Sequence, residues 1–103
     1  MEKATDVCRR VVEDLTPLGE ISSKKMFGGY GIFANDTMFA LINAGGQLFL
    51  KTGESNQAQF EEAGSKRHGR MPYFSVPREV LKDSVRLHEW AKSAIEVARA
   101  AKK

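Results

Sequence analysis

The chain has 103 residues, of which 42% are hydrophobic and 28% charged, a balance typical of one globular domain. Its single cysteine excludes an internal disulfide, and because the start is charged from Glu2 onward we expect no secretory signal. No apolar run reaches the length of a membrane span, so we expect no membrane partner and a single cytoplasmic domain over residues 1–103.

The net charge of +3 is unevenly distributed along the chain. Residues 1–63 carry 6 basic and 9 acidic side chains, whereas residues 64–103 carry 10 and 4. A basic C-terminal part is found both in proteins that contact an anionic partner and in proteins whose charges are simply solvated. The charge pattern leaves both interpretations open.

The first predicted element is an amphipathic helix over residues 3–18, ended by Thr16-Pro17 and Gly19. Cys8 lies on its apolar side, where a buried small hydrophobic residue is the expected role. The apolar residues recur every three or four positions: Ala4, Val7, Cys8, Val11, Val12, Leu15 and Leu18.

Strands follow from the point where the hydrophobic period changes. We predict them over residues 24–27, 30–34, 37–43 and 47–52, with a bulge or bend at Gly28-Gly29. Asn35-Asp36 and Gly45-Gly46 are typical hairpin turns, since these residues tolerate positive backbone angles.

The last third alternates short elements with a longer helix. Ser55 is the predicted N-cap of a helix that Gly64 ends, residues 71–76 form a last strand, and residues 78–82 form a short helix. Asp83 or Ser84 caps the final helix, whose predicted apolar stripe is Val85, Leu87, His88, Ala91, Ala94, Ile95 and Ala98, with Trp90 on its flank. This order predicts an α+β fold: an antiparallel β-meander of four to five strands with N- and C-terminal helices packed on it.

Several motifs occur in an order that resembles one known family. Lys-Met-Phe-Gly-Gly-Tyr-Gly-Ile-Phe at 25–33 is followed by Met-Phe-Ala-Leu-Ile at 38–42, Leu-Phe-Leu-Lys at 48–51 and Phe-Glu-Glu-Ala-Gly at 60–64. Met-Pro-Tyr-Phe-Ser-Val-Pro at 71–77 and Glu-Val-Leu-Lys-Asp at 79–83 continue the series. Over about residues 20–98 the chain resembles the N-terminal domain of the TfoX/Sxy competence regulators.

The resemblance implies a secretion-chaperone-like α+β fold and a role in bacterial gene regulation. Full-length members act with a cyclic-AMP receptor-type activator at competence promoters and carry a second, C-terminal domain. Because the sequence ends at Lys103, we expect this chain to lack that domain, and the segment between Gly64 and Met71 is expected to be shorter than in the relatives.

The glycine and aromatic residues near the first turn have two interpretations each. A phosphate-binding loop leads into a helix N-terminus, whereas a predicted strand follows Gly28-Gly29, so we expect these glycines to allow bulging or close packing. The aromatic residues could stack on nucleic-acid bases, but core packing under helices explains them too, with Tyr30 the most exposed. They are Phe27, Tyr30, Phe33, Phe39 and Phe49.

No set of residues indicates catalysis, a metal or a cofactor. His68 and His88 match no spacing of metal ligands, and no base is indicated beside Cys8. Glu61 and Glu62 are consecutive, so on a helix they point about 100° apart and form no acid–base pair. We expect a protein that is not an enzyme.

The strongest candidate site is the basic segment at residues 66–70. Its cationic side chains suit phosphate contacts or a solvated loop, and other basic residues could share its face. The candidate contact residues are Lys24, Lys25, Tyr30, Lys66, Arg67, His68 and Arg70, and Lys82 and Arg86 could join them.

Two functions therefore remain open. In the first, the chain is a regulatory module that binds a transcription factor, another regulator or a second copy of itself through an exposed sheet face or edge. In the second, residues 66–70 make weak, salt-sensitive contacts with DNA that carry little sequence preference.

Overall fold

Within the described residues, five antiparallel strands form one sheet in which the strand order follows the chain order. The structure, a computed structural model, describes residues 4–26 and 28–101. Its elements are α1 (Ala4–Leu15), β1 (Ile21–Met26), β2 (Gly29–Ala34), β3 (Thr37–Ile42), β4 (Leu48–Lys51), α2 (Gln57–Glu62), β5 (Tyr73–Ser75), α3 (Arg78–Leu81) and α4 (Ser84–Ala101), with a 3-10 turn over Thr16–Leu18. The predicted α+β meander with terminal helices is confirmed.

The main core lies between one face of the sheet and the helices. Leu15 of α1, Ile32 of β2, Phe39 of β3 and Leu50 of β4 have no exposed surface. Phe60 of α2 joins them, and its ring centroid lies 4.7 Å from that of Trp90. Cys8 is buried in the same core as a free thiol, as its position on the apolar side of α1 predicts.

Both hairpin turns use the positive backbone angles that the sequence predicts. Asn35 has φ 56° between β2 and β3, and Gly46 has φ 84° between β3 and β4. The bulge is displaced from the predicted position: the register shifts between Ile32 and Phe33, not at Gly28-Gly29. The extra residue at the shift is Phe39 of β3, since Phe33 pairs with Met38 and Ile32 with Ala40.

The predicted starts of β1 and α2 differ from the structure. The first strand begins at Ile21, and the predicted residue Phe27 lies outside the described residues. The residue before α2 is Asn56, not the predicted Ser55, and its side chain makes no capping hydrogen bond to the helix. The buried Asn56 side chain instead accepts a hydrogen bond from the Gly53 N–H (2.8 Å) and donates to the Lys51 carbonyl (3.1 Å).

The final helix starts as predicted but turns one residue of its stripe outward. Asp83 is the cap, since its Oδ1 accepts from the backbone N–H groups of Val85 (3.1 Å) and Arg86 (3.3 Å). Val85 is 67% exposed. It precedes Leu87 by two residues, about 200° around the helix, and therefore points away from the buried stripe.

Candidate functional site

The face of the sheet opposite the main core is a separate apolar surface. The pairs Lys24–Gly31, Gly31–Leu41 and Leu41–Phe49 run across four strands, so these residues share one face. We call it the open face; its side chains include Lys24, Met26, Phe33, Met38, Leu41, Phe49, Lys51 and Tyr73. Leu41, Phe49, Tyr73 and Met38 form a cluster that includes no helical residue from the described parts of the chain.

The end of the open face near β1 is built around a glycine. A Cβ at Gly31 would lie 2.8 Å from Cε of Met26 and 3.1 Å from Sδ of Met38, so both methionines extend over this residue. Met26, Met38 and Phe33 are half-buried. Methionine side chains are flexible and polarizable, which suits a surface that adapts to a bound partner.

The other end of the open face is closed by aromatic and cationic side chains. The His68 ring meets the Phe49 ring edge-on at a centroid distance of 4.7 Å, and the Lys51 Nζ lies 5.5 Å from the Tyr73 ring centroid. Burial raises the pKa of the Tyr73 hydroxyl above its ordinary value of 10.0. This end is therefore a small packed cluster.

The predicted basic segment at residues 66–70 runs along the outer edge of β5. The His68 N–H donates to the Tyr73 carbonyl (2.8 Å) and the Ser75 N–H donates to the Lys66 carbonyl (2.9 Å). The Arg67 guanidinium donates to the carbonyls of Met71 (3.1 Å) and Arg70 (3.2 Å). Arg67 and His68 thus fix the fold of the segment, while the side chains of Lys66 and Arg70 are exposed.

The other predicted contact residues lie at the opposite edge of the sheet. Lys24 and Lys25 are exposed on β1, where Lys24 faces the open face and Lys25 faces the helix side. Tyr30 pairs with Lys25 and is half-buried, and its hydroxyl lies 2.8 Å from the Thr5 hydroxyl of α1. β1 and β5 are four strand spacings apart, about 19 Å. The seven candidate residues therefore form two separate groups.

A cleft that sequence reasoning missed lies between α1, α3 and the turn at residues 45–47. Its volume is about 1060 Å³, and Val7, Val11 and Leu87 form part of its apolar wall. Both signs of charge line it, through residues such as Arg78 and Glu13. Its lining comes from separate elements of the chain, and so no motif in the sequence indicated it.

The described residues include neither a metal-ligand cluster nor a membrane-spanning helix. Within residues 4–26 and 28–101, no group of three His, Cys, Asp or Glu side chains is placed to hold a metal ion. None of the helices in the same ranges is long and apolar enough to cross a membrane.

Comparison with known proteins identifies the family to which this chain is similar. Residues 13–98 match the family model described as the TfoX N-terminal domain. The chain is also 42% identical over 50 residues to the DNA transformation protein TfoX1 of Aliivibrio fischeri. The matched stretch covers 48% of this chain and 23% of that protein, so the chain spans about a quarter of the length of this relative.

Proposed function

Because the chain belongs to the TfoX N-terminal domain family, we propose that it is a non-enzymatic regulatory domain that acts by binding another protein. The relative in Aliivibrio fischeri is named a DNA transformation protein, and we extend that role to this chain as part of the proposal. The proposed partner is a transcription factor or another regulator of competence genes, and the proposed location is the bacterial cytoplasm.

The observation that carries the proposal is the open face. Met26, Phe33 and Met38 lie next to one another, half-buried, on a side of the sheet whose apolar cluster includes no helical residue in the described ranges. A contiguous apolar surface rimmed by charged residues such as Lys24 is typical of a protein-binding site. Flexible methionines beside an aromatic ring are suited to contact with another protein surface.

DNA contact through residues 66–70 has less support. Arg67 donates its hydrogen bonds to carbonyls of its own loop, and the His68 ring packs on Phe49. Only Lys66 and Arg70 of the segment then present side chains that could reach phosphates. Few phosphate contacts mean weak binding that decreases steeply with salt.

A deletion and complementation experiment tests the proposed function. The coding region is deleted in its own bacterium and restored as wild type, as Phe33→Ser, or as Glu89→Ser, a matched change at an exposed position of α4. Genome-wide transcript levels are then measured, and thermal unfolding confirms that each variant is folded.

We expect deletion to change transcripts of competence genes, and we expect wild type and Glu89→Ser to restore them. Phe33→Ser should fail to do so, because it removes a half-buried aromatic ring from the open face, where Phe49 and Tyr73 are buried. Unchanged transcripts on deletion, or equal restoration by both folded variants, would contradict the proposal.

A further inference from the structure

The two outer edges of the sheet differ in how they are covered. The outer edge of β5 is paired with residues 66–68 through two backbone hydrogen bonds and a bridge between Arg67 and Phe74. β1 pairs with β2 alone, and no other strand in the described ranges lies beside it. β1 is therefore the edge that can accept another strand.

The backbone groups available on this edge follow from the register. The Asn35 N–H donates to the Glu20 carbonyl (2.8 Å). Glu20 and Asn35 continue the register of the β1–β2 pairs, so they mark a hydrogen-bonded pair in that register. In an antiparallel pair, alternate residues point both backbone groups at the neighbouring strand. Ser22, Lys24 and Met26 therefore bond to β2, whereas the N–H and C=O groups of Ile21, Ser23 and Lys25 point outward.

The β1 edge lacks the usual features that prevent strand addition, apart from charge. Its six residues pair with β2 in unbroken register, with no bulge and no proline. Ser22, Ser23, Lys24 and Lys25 are all exposed. Lysines at an edge disfavour pairing with another basic or apolar strand, so the side chains select the partner.

From this arrangement we infer that the β1 edge binds an extended segment of a partner protein that carries two consecutive acidic residues. Lys24 and Lys25 project to opposite faces of the sheet, as two consecutive residues of an added strand do. Each acidic residue would then lie directly opposite one lysine. Apolar residues would lie opposite Met26 and Ile21 at the two ends. This inference rests on the proposed function, since it specifies the chemistry of the bound protein.

The groups around Lys24 and Lys25 also favour a negatively charged ligand. On the helix side, Arg9 and Glu13 line a shallow pocket with Ser23 and Tyr30, so their opposite charges balance and Lys25 remains in excess. On the open face, Lys24 pairs with Gly31, a residue without a charged side chain. A second copy of this chain would instead bring four lysines together at the joined edges, and like charges on paired strands are destabilising.

A peptide titration tests the charge preference. A labelled peptide with the core Val-Glu-Glu-Thr-Thr-Val places its acidic pair opposite Lys25 and Lys24 in antiparallel pairing. The control peptide has Val-Lys-Lys-Thr-Thr-Val. Fluorescence anisotropy with the full chain in about 50 mM salt should show the acidic peptide binding about tenfold more tightly. The double variant Lys24→Glu, Lys25→Glu should reverse this preference.

Methylation of the peptide backbone separates strand addition from simple charge attraction. The peptide N–H groups opposite Lys25 and Ser23 point toward β1, and the one opposite Lys24 points away. N-methylation opposite Ser23 should abolish binding, and N-methylation opposite Lys24 should leave it within about twofold. This comparison needs no change to the protein, so it does not depend on whether a variant folds.

Each outcome decides the inference. The inference is supported if the acidic peptide binds more tightly, the double variant reverses this preference, and N-methylation opposite Ser23 abolishes binding. No binding, equal binding of both peptides, or equal loss with either N-methyl group overturns it, as does sedimentation that shows the chain dimerising through β1. The transcript experiment above is independent: if it succeeds while the peptide fails, the proposed function remains and the edge assignment is wrong.

Discussion

Gly29 lies against the backbone of Ile42, so closely that a Cβ on the glycine would overlap the Ile42 carbonyl oxygen. The contact joins β2 to β3 at the start of the hairpin that carries Met38 and Phe33. A side chain at residue 29 would therefore push two strands of the sheet apart. The glycine-rich motif allows close packing here, as predicted, and Gly29 is the first residue of β2.

This contact predicts a graded series of glycine substitutions. Gly29→Ala should lower the free energy of unfolding by about 2 kcal/mol, because backbone atoms must move. Gly31→Ala should cost about 1 kcal/mol, because the obstructing atoms are the ends of the Met26 and Met38 side chains.

The control for this series is Gly45→Ala, whose new Cβ would meet only the Asn43 Oδ1 at 3.5 Å. It should change stability by less than about 0.5 kcal/mol. Urea denaturation followed by circular dichroism measures all three variants. Equal losses for Gly29→Ala and Gly45→Ala would show that the contact with Ile42 is not the cause.

The cap of α4 makes a second prediction. Asp83→Ala removes the oxygen that accepts from the N–H groups of Val85 and Arg86, and should cost about 1 kcal/mol of stability. Asp83→Asn keeps an acceptor oxygen and should retain most of that stability. If the two variants unfold at the same denaturant concentration, the hydrogen bonds to Asp83 are not what stabilises the first turn.

The raised pKa of Tyr73 makes a third prediction, about alkaline stability. Burial disfavours the phenolate in the folded state, whereas the unfolded chain ionises at its ordinary pKa of 10.0. The unfolded state then binds fewer protons, so stability is complete below pH 10 and declines as the pH rises toward the folded-state pKa.

Tyr73→Phe tests this relation. The variant keeps the ring beside Lys51 but has no ionisable hydroxyl, so its stability should decrease less than that of the wild type between about pH 9 and 11. Denaturant titrations at several pH values measure the difference. Parallel pH profiles for the two proteins would show that Tyr73 does not contribute to the alkaline loss.

The role of Arg67 in its own loop makes a fourth prediction. Arg67→Ala removes the hydrogen bonds to the carbonyls of Met71 and Arg70, so the loop should open more often. Hydrogen exchange at the backbone N–H of His68 should become about fivefold faster. Arg70→Ala, at an exposed position of the same loop, is the control and should leave the exchange rate unchanged. Equal acceleration in both variants would contradict a specific role for Arg67.

Periodicity and turn chemistry predicted the fold well because they reflect local rules. The three-and-four spacing of α1 and the Asn35 turn each depend on a few adjacent residues. The bulge position was missed because it depends on how Phe39 fits the main core, which only the assembled sheet determines. Val85 was misplaced because the predicted stripe grouped it with Leu87, although two residues turn an α-helix by about 200° and place Val85 on the other side.

The candidate site was predicted less well, since it depends on which strands become edges. Lys24, Lys25 and residues 66–70 resemble one basic set in the sequence, yet β1 and β5 lie at opposite ends of the sheet. The hydrogen bonds from Arg67 to nearby carbonyls also have no signature in the sequence. The open face became recognisable only after the cross-strand pairs showed which residues share it.

Site-specific photocrosslinking in living cells can show whether the open face contacts another protein. A benzophenone amino acid is placed at Phe33 of the open face, or at Glu89 of α4 as the control. Irradiated cells are then analysed by mass spectrometry. We expect position 33, and not position 89, to form a defined adduct with a transcription regulator. No adduct at position 33, or the same adducts at both positions, would contradict a protein-binding role for the open face.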